Sequence, residues 1–170
     1  MKKIFWLLSL VLCLSVSNTF AQNWYGKVGL GFDVSLNDGM NTNQTINGYV
    51  GYFFDVHQAM ELDLTHGFQK DDVYYNRIGV NYLFEFQTKD SMSPYLRLGV
   101  GYKNYGYKFY DEIYHEEFAD FKVGFGFHYY VDPNWSVNMG IDFTSMTNDY
   151  YDLKWRNMML QTHIGVAYNF

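Results

Sequence analysis

The chain has 170 residues, a formal net charge of −6 and a single cysteine. The acidic balance argues against nucleic acid as a partner, and one cysteine cannot build a disulfide framework. Hydrophobic residues make up 48% of the chain and aromatics 21%, yet mean hydropathy is −0.25, so the apolar residues are abundant but dispersed.

The chain opens "MKKIFWLLSLVLCLSVSNTFAQ". Lys2 and Lys3 precede an apolar run from Ile4 to Leu14, and small or polar residues then lead to Ala21. That order of parts predicts a secretory signal peptide over residues 1–21, cut after Ala21. The run is shorter than the roughly 18 residues of a membrane-anchoring helix. Bulky Leu12 argues against lipid attachment at Cys13. Cutting there leaves residues 22–170 without cysteine and takes the net charge from −6 to −8.

From residue 24 onward apolar side chains recur at every second position, which is the period of a strand. In "WYGKVGLGFDV", Trp24, Val28, Leu30, Phe32 and Val34 oppose Tyr25, Lys27, Gly29, Gly31 and Asp33. Ile46, Val50, Tyr52, Phe54 and Val56 then oppose Asn47, Tyr49, Gly51 and Asp55. Met60, Leu62, Leu64 and Phe68 oppose Glu61, Asp63, Thr65 and Gly67. Three further strands set Ile78 to Phe86 against Arg77, Gly79, Asn81 and Glu85, Leu96 to Tyr102 against Arg97, Gly99, Gly101 and Lys103, and Phe121 to Tyr129 against Lys122, Gly124, Gly126 and His128. Trp135 to Phe143 then face away from Ser136, Asn138, Gly140, Asp142 and Thr144. The last strand sets Met158, Leu160, Ile164, Val166, Tyr168 and Phe170 against Asn157, Gln161, His163, Gly165 and Asn169.

A soluble sandwich also alternates, but its polar faces meet water and carry mostly long charged side chains. Here the polar face is rich in glycine, as crowding inside a narrow closed barrel would require. The apolar face is continuous and too large for a small soluble protein to expose. The pattern therefore predicts an all-β, eight-stranded antiparallel up-and-down transmembrane barrel over residues 22–170. "HQA", "QTKDSMS" and "DPN" are its short periplasmic turns. "SLNDGMNTNQT", "QKDD", "NYGYKFYDEIYHEE" and "TNDYYDLK" are its outer loops. Aromatics gather in two girdles, with Trp24, Trp135 and Phe170 at one level and Phe32, Phe68 and Phe143 at the other.

The lumen of this barrel is predicted to hold Lys27, Asp55, Glu61, Asp63, Arg77, Glu85, Arg97, Lys122, His128, Asp142 and His163, with Asp33 and Lys103 beside them. Opposite charges nearly balance, which suits a polar plug replacing a hydrophobic core. The competing reading is a narrow gated pore in which Arg77 and Arg97 exchange acidic partners. No catalytic constellation emerges. His66 falls on the lipid face near the outer rim, but Phe68, two positions along the same face, supplies no nucleophile. Asp111, Glu112, His115, Glu116 and Glu117 cluster in the third loop without EF-hand spacing, so no metal and no cofactor is expected. Tyr107, Tyr110, Tyr114, Tyr150 and Tyr151 are candidate contact residues on the outer loops, unless they extend the strands above the membrane.

With these residues in view, the whole chain after the signal resembles the small eight-stranded outer-membrane barrels of bacteria, which include the OmpX and Ail adhesins, the OmpA membrane domain and OmpW. "PYLRLGVGY" and "VDPNW" are similar to stretches of that superfamily. So is the closing pattern of His163, Gly165, Tyr168 and Phe170. The resemblance implies that this closing pattern is the signal read by the barrel-assembly machinery. It implies outer-membrane lipids, lipopolysaccharide and periplasmic chaperones as partners, and a monomer. The function expected is non-enzymatic, in envelope structure or surface contact through the outer loops. The alternative is a conduit for small, even apolar, solutes.

Overall fold

The structure, a computed structural model, describes residues 23–36, 42–68, 74–86, 91–109, 112–147 and 158–170. The signal-peptide segment, Tyr110, Tyr150 and Tyr151 lie outside the described residues. Eight strands follow one another: β1 (Trp24–Ser35), β2 (Thr42–Asp55), β3 (Gln58–Phe68), β4 (Tyr74–Glu85), β5 (Met92–Phe109), β6 (Glu112–Tyr130), β7 (Trp135–Thr147) and β8 (Met158–Asn169). Each pairs antiparallel with the next, and β8 returns to β1 to close a barrel. Closure leaves no open edge along the wall, so every wall strand has backbone partners on both sides, as hydrocarbon requires.

The period-two pattern becomes two faces. Val28, Leu30, Val100 and their outward neighbours remain 56%, 63% and 60% exposed, whereas the intervening Lys27, Asn81, Arg97 and Asp142 are buried. The molecule is inverted relative to a soluble domain, with its charges inside and its apolar side chains outside. A small apolar cluster of Tyr25, Ala59, Leu83 and Tyr95, backed by Phe53, sits in the lumen, near the end where the tight connections lie.

Glycine on the inner face makes room for the larger side chains. A Cβ on Gly101 would lie 2.6 Å from Arg77 Nη2, and one on Gly79 would lie 2.6 Å from Arg77 Nη1, so the guanidinium rests across two bare backbone segments. At the closing seam Gly29 and Gly165 are register partners, and a Cβ on Gly165 would come within 2.8 Å of the Gly29 Cα.

Three expectations are corrected. The first outer loop is shorter than predicted, because Thr42 to Thr45 already pair with β1 and Asn43 is buried. Asp55 does not enter the lumen. The register shifts between Phe53 and Asp55 at the β2–β3 turn, which throws Asp55 to the exposed rim. The third outer loop is largely strand. β5 and β6 run for 18 and 19 residues, and Tyr107 and Tyr114 are register partners within their hairpin. Among the described residues, pairing of β5 with β4 reaches Gly106 and pairing of β6 with β7 begins at Ala119, so the hairpin runs past the last described pairs with its neighbours.

Candidate functional site: a charge-paired lumen

The lumen charges all occupy inward positions of the period-two pattern, so the pleat aims them inward in tiers. Lys27 comes from β1, Glu61 and Asp63 from β3, Arg77 from β4, Arg97 from β5, Asp120 and Lys122 from β6, and Asp142 from β7. Together they form a continuous chain of alternating sign. Lys27 contacts Glu61, and the other oxygen of Glu61 accepts from Arg97 Nε at 3.1 Å. Arg97 Nη1 donates to Asp142 at 3.0 Å, and Asp142 lies 3.6 Å from Lys122 Nζ. Lys122 in turn is 2.7 Å from Asp63, which also contacts Arg77. Arg77 ends the chain with a two-pronged grip on Asp120, Nε at 2.8 Å and Nη2 at 2.7 Å.

Four cations and four carboxylates therefore cancel within the chain, and each of these side chains is at most 2% exposed. Taking a charge out of water costs several kcal/mol, and only close, well-oriented partners offset it. Neutral groups complete the set. Tyr25 donates to Glu61 at 2.8 Å, Thr65 to Asp63 at 2.9 Å and Asn81 to Asp63 at 3.4 Å. The Arg97 guanidinium also lies between the Tyr49 and Tyr95 rings, at 4.8 and 5.1 Å, where cation–π attraction adds to the ion pairs.

The ends of the lumen differ. Toward the tight turns, His128 Nδ1 sits 3.3 Å from Glu85, Tyr130 donates to Glu85 at 2.7 Å, and a vestibule of about 790 Å³ opens past Glu85, Ser93 and Tyr130. Toward the hairpin, Tyr75 donates to Asp33, Lys103 lies 4.2 Å above the Tyr75 ring, and Lys103 and Tyr105 point at Met159 Sδ, at 3.5 and 3.1 Å.

Of the eleven residues expected in the lumen, the structure brings ten together and leaves Asp55 outside. His163 takes part through Tyr95, whose hydroxyl is 3.1 Å from His163 Nε2. Asp120 was not anticipated, although the alternation of Lys122, Gly124 and Gly126 continued backward by one step points to it. Tyr75 and Tyr95 were also missed, because aromatic residues at strand ends read equally well as girdle members. Tyr168 packs on Trp135 at 4.8 Å, and the Phe170 amide donates to Trp24 at 2.9 Å, so the closing pattern spans the β7, β8 and β1 seam. His66 lies on the outer face against Asn76 at 2.7 Å and the Phe68 ring at 4.3 Å. His115 and Glu117 take the outward positions of β6 and Glu116 the inward one, which splits the acidic cluster between two faces.

Known proteins agree with this architecture. Protein opa of Haemophilus influenzae is 27% identical over 112 residues, covering 64% of this chain and 90% of the relative. The crystal structure of Neisserial surface protein A (NspA) superposes with a TM-score of 0.75 at 16% identity, covering 86% of this chain and 97% of that one. Ail, the attachment invasion locus protein of Yersinia pestis, gives a TM-score of 0.62 at 14% identity, covering 88% and 99%. At these identities the two structures establish the fold. The sequence itself matches the family described as Outer membrane protein beta-barrel domain over residues 6–170. The chain belongs to that family of barrels, and its site is the bacterial outer membrane.

Proposed function

We propose that the protein is a non-catalytic barrel whose lumen is a structural plug and whose working surface is the projecting end of the β5–β6 hairpin. The observation that carries this reading is the unbroken chain from Lys27 to Asp120, in which every cation has two carboxylate neighbours or ends the series. Such an interior replaces a hydrophobic core, and an eight-stranded barrel has just enough width for side chains to fill it. Surface contact is supported by the length of β5 and β6, which lift Tyr107 and Tyr114 beyond the wall, and by the aromatic content of that hairpin. Likeness to an attachment protein of Yersinia pestis makes adhesion a reasonable first assay.

Barrels of this fold also include enzymes, so the absence of catalysis is inferred from residues. His66, the outward histidine at the hairpin end of the wall, has Asn76 and aromatic rings around it, and no nucleophile stands beside it among the described residues. Assembly through the barrel-assembly machinery and periplasmic chaperones, with His163, Gly165, Tyr168 and Phe170 as the recognised end and a monomer as the product, belongs to the same proposal.

A conduit is the second reading, favoured by the vestibule at the turn end and by the buried Arg97 Nη2, which lacks a hydrogen-bond partner. Planar-bilayer recording separates the two. The plug reading expects little or no steady conductance, whereas a conduit expects a persistent one. For surface contact, purified protein in vesicles is tested for binding to cultured cells before and after removal of residues 107–114. Equal binding by both forms would remove the hairpin from the account.

A further inference from the structure

Two kinds of glycine occur in the wall. Those facing the lumen are imposed by crowding, as Arg77 shows at Gly79 and Gly101. Gly48 is different. It faces outward, with Val28 and Leu64 as its register partners, and a Cβ there would meet only the Leu64 carbonyl oxygen, at an ordinary 3.8 Å. Gly26, another outward glycine with room, is covered by the Phe170 ring at 3.9 Å, whereas no side chain comes within 4 Å of the Gly48 position. Packing within the chain therefore does not require glycine at residue 48. Its bareness leaves a groove of about 510 Å³ in the membrane-facing wall, bounded by Val28, Ile46, Leu64, Ile78 and Tyr102.

The next outward tier toward the hairpin is polar. Register carries Ile46 to His66, Asn76, Asn104 and Glu117 in one row across β2 to β6. The row is already hydrogen-bonded: His66 Nδ1 lies 2.7 Å from Asn76 Oδ1, Asn104 donates to Glu117 at 3.5 Å, and His115 Nδ1 lies 3.3 Å from Asn104 Oδ1. Four adjacent polar side chains on the outer face of a membrane barrel belong at the level of the lipid headgroups, because deeper they would be costly.

We infer that the groove and the polar row are one binding site for a membrane glycolipid, with an acyl chain lying over Gly48 and the sugar's hydroxyl and amide groups held by His66, Asn76 and Asn104. This rests on the outer-membrane location and not on the surface-contact reading. The occupant is a lipid because the groove is continuous with the apolar wall on both sides, where Val28 and Ile78 remain 56% and 52% exposed. The headgroup is a sugar because carboxamides and imidazoles both donate and accept, as hydroxyl and amide groups do. A phosphate would call for the fork of an arginine or the charge of a lysine, and among the described residues the row has neither. Arg77 and Lys103, which neighbour it in sequence, point into the lumen, and Glu117 would repel an anion.

The test uses the full mature barrel in phosphatidylcholine nanodiscs, titrated with a diacyl glucosamine glycolipid or with phosphatidylglycerol of the same chain length, and read by native mass spectrometry. The expected result is one saturable glycolipid, held about tenfold more tightly than phosphatidylglycerol, as two or three hydrogen bonds at a membrane interface supply. Gly48→Leu, which fills the groove, and Asn76→Leu, which breaks the row, each weaken binding several-fold, whereas Met139→Leu, outward on β7 across the barrel, changes nothing. Adsorption without saturation, equal retention of phosphatidylglycerol, or equal binding by all variants would overturn the site. If Gly48→Leu fails to insert, His66→Leu takes its place and decides by the same criteria.

Discussion

The inner and outer faces are built from the same strands, residue by residue in alternation, yet they obey opposite rules. On the outer face the surroundings are hydrocarbon, which asks of each side chain only that it be apolar. On the inner face the surroundings are other side chains, each fixed on a different strand, so Arg97 needs Glu61 from β3 and Asp142 from β7 in place at once. Specificity therefore resides in the lumen, and the wall supplies compatibility with the bilayer. Substitutions should be costly inside for almost any change and costly outside only when polarity changes.

The largest effect is expected inside. Arg97→Ala leaves Glu61 and Asp142 buried with one cation fewer, at a cost of roughly 3 to 5 kcal/mol in urea unfolding from lipid vesicles. A loss below about 1 kcal/mol would mean that water already solvates these carboxylates. The outer face should answer with a smaller but sharp response. Val100, flanked by Val80 and Phe121, should lose roughly 2 to 4 kcal/mol when replaced by arginine, as charge near the bilayer midplane does. The same replacement at Ser91, exposed just before β5, should be nearly neutral, and equal tolerance at both sites would dissolve the contrast between wall and rim.

Glycine sharpens the comparison without changing charge. Gly101→Ala places a methyl group 2.6 Å from Arg77 Nη2 and 3.0 Å from Asp120 Oδ1, so overpacking should cost roughly 1 to 3 kcal/mol. Gly48→Ala, with open space before it, should stay within about 0.5 kcal/mol. The smallest equilibrium effect is expected at the chain end. Deleting Phe170 removes one rim aromatic and should scarcely move the unfolding curve, while slowing the appearance of folded, heat-modifiable barrel in cells. Unchanged assembly kinetics at native expression would detach Phe170 from the proposed recognition signal.

Alternation made the wall legible from the amino acids, since a period of two needs no tertiary information and each strand repeats it. The same regularity pointed Lys27, Glu61, Arg97 and Asp142 inward. Their pairing was not legible, because Glu61 and Arg97 are 36 residues apart and only shear and closure decide which tiers coincide. Asp55 misled because the period was extended through a bulge, where one irregular residue moves a side chain out of its face. The third loop misled for the opposite reason: acidic and tyrosine-rich composition suggested coil, while alternation continued through it and cross-strand pairing held it as a hairpin.

If the interior is a filled, self-neutralising plug, the wild-type barrel should carry almost no current across a planar lipid bilayer. An electrically quiet membrane is expected at moderate voltage, broken at most by brief, rare events, with Arg97→Ala lowering stability more than it raises current. A large steady conductance in the wild type that survives removal of the hairpin tip, residues 107–114, would contradict it and establish an open path through the lumen.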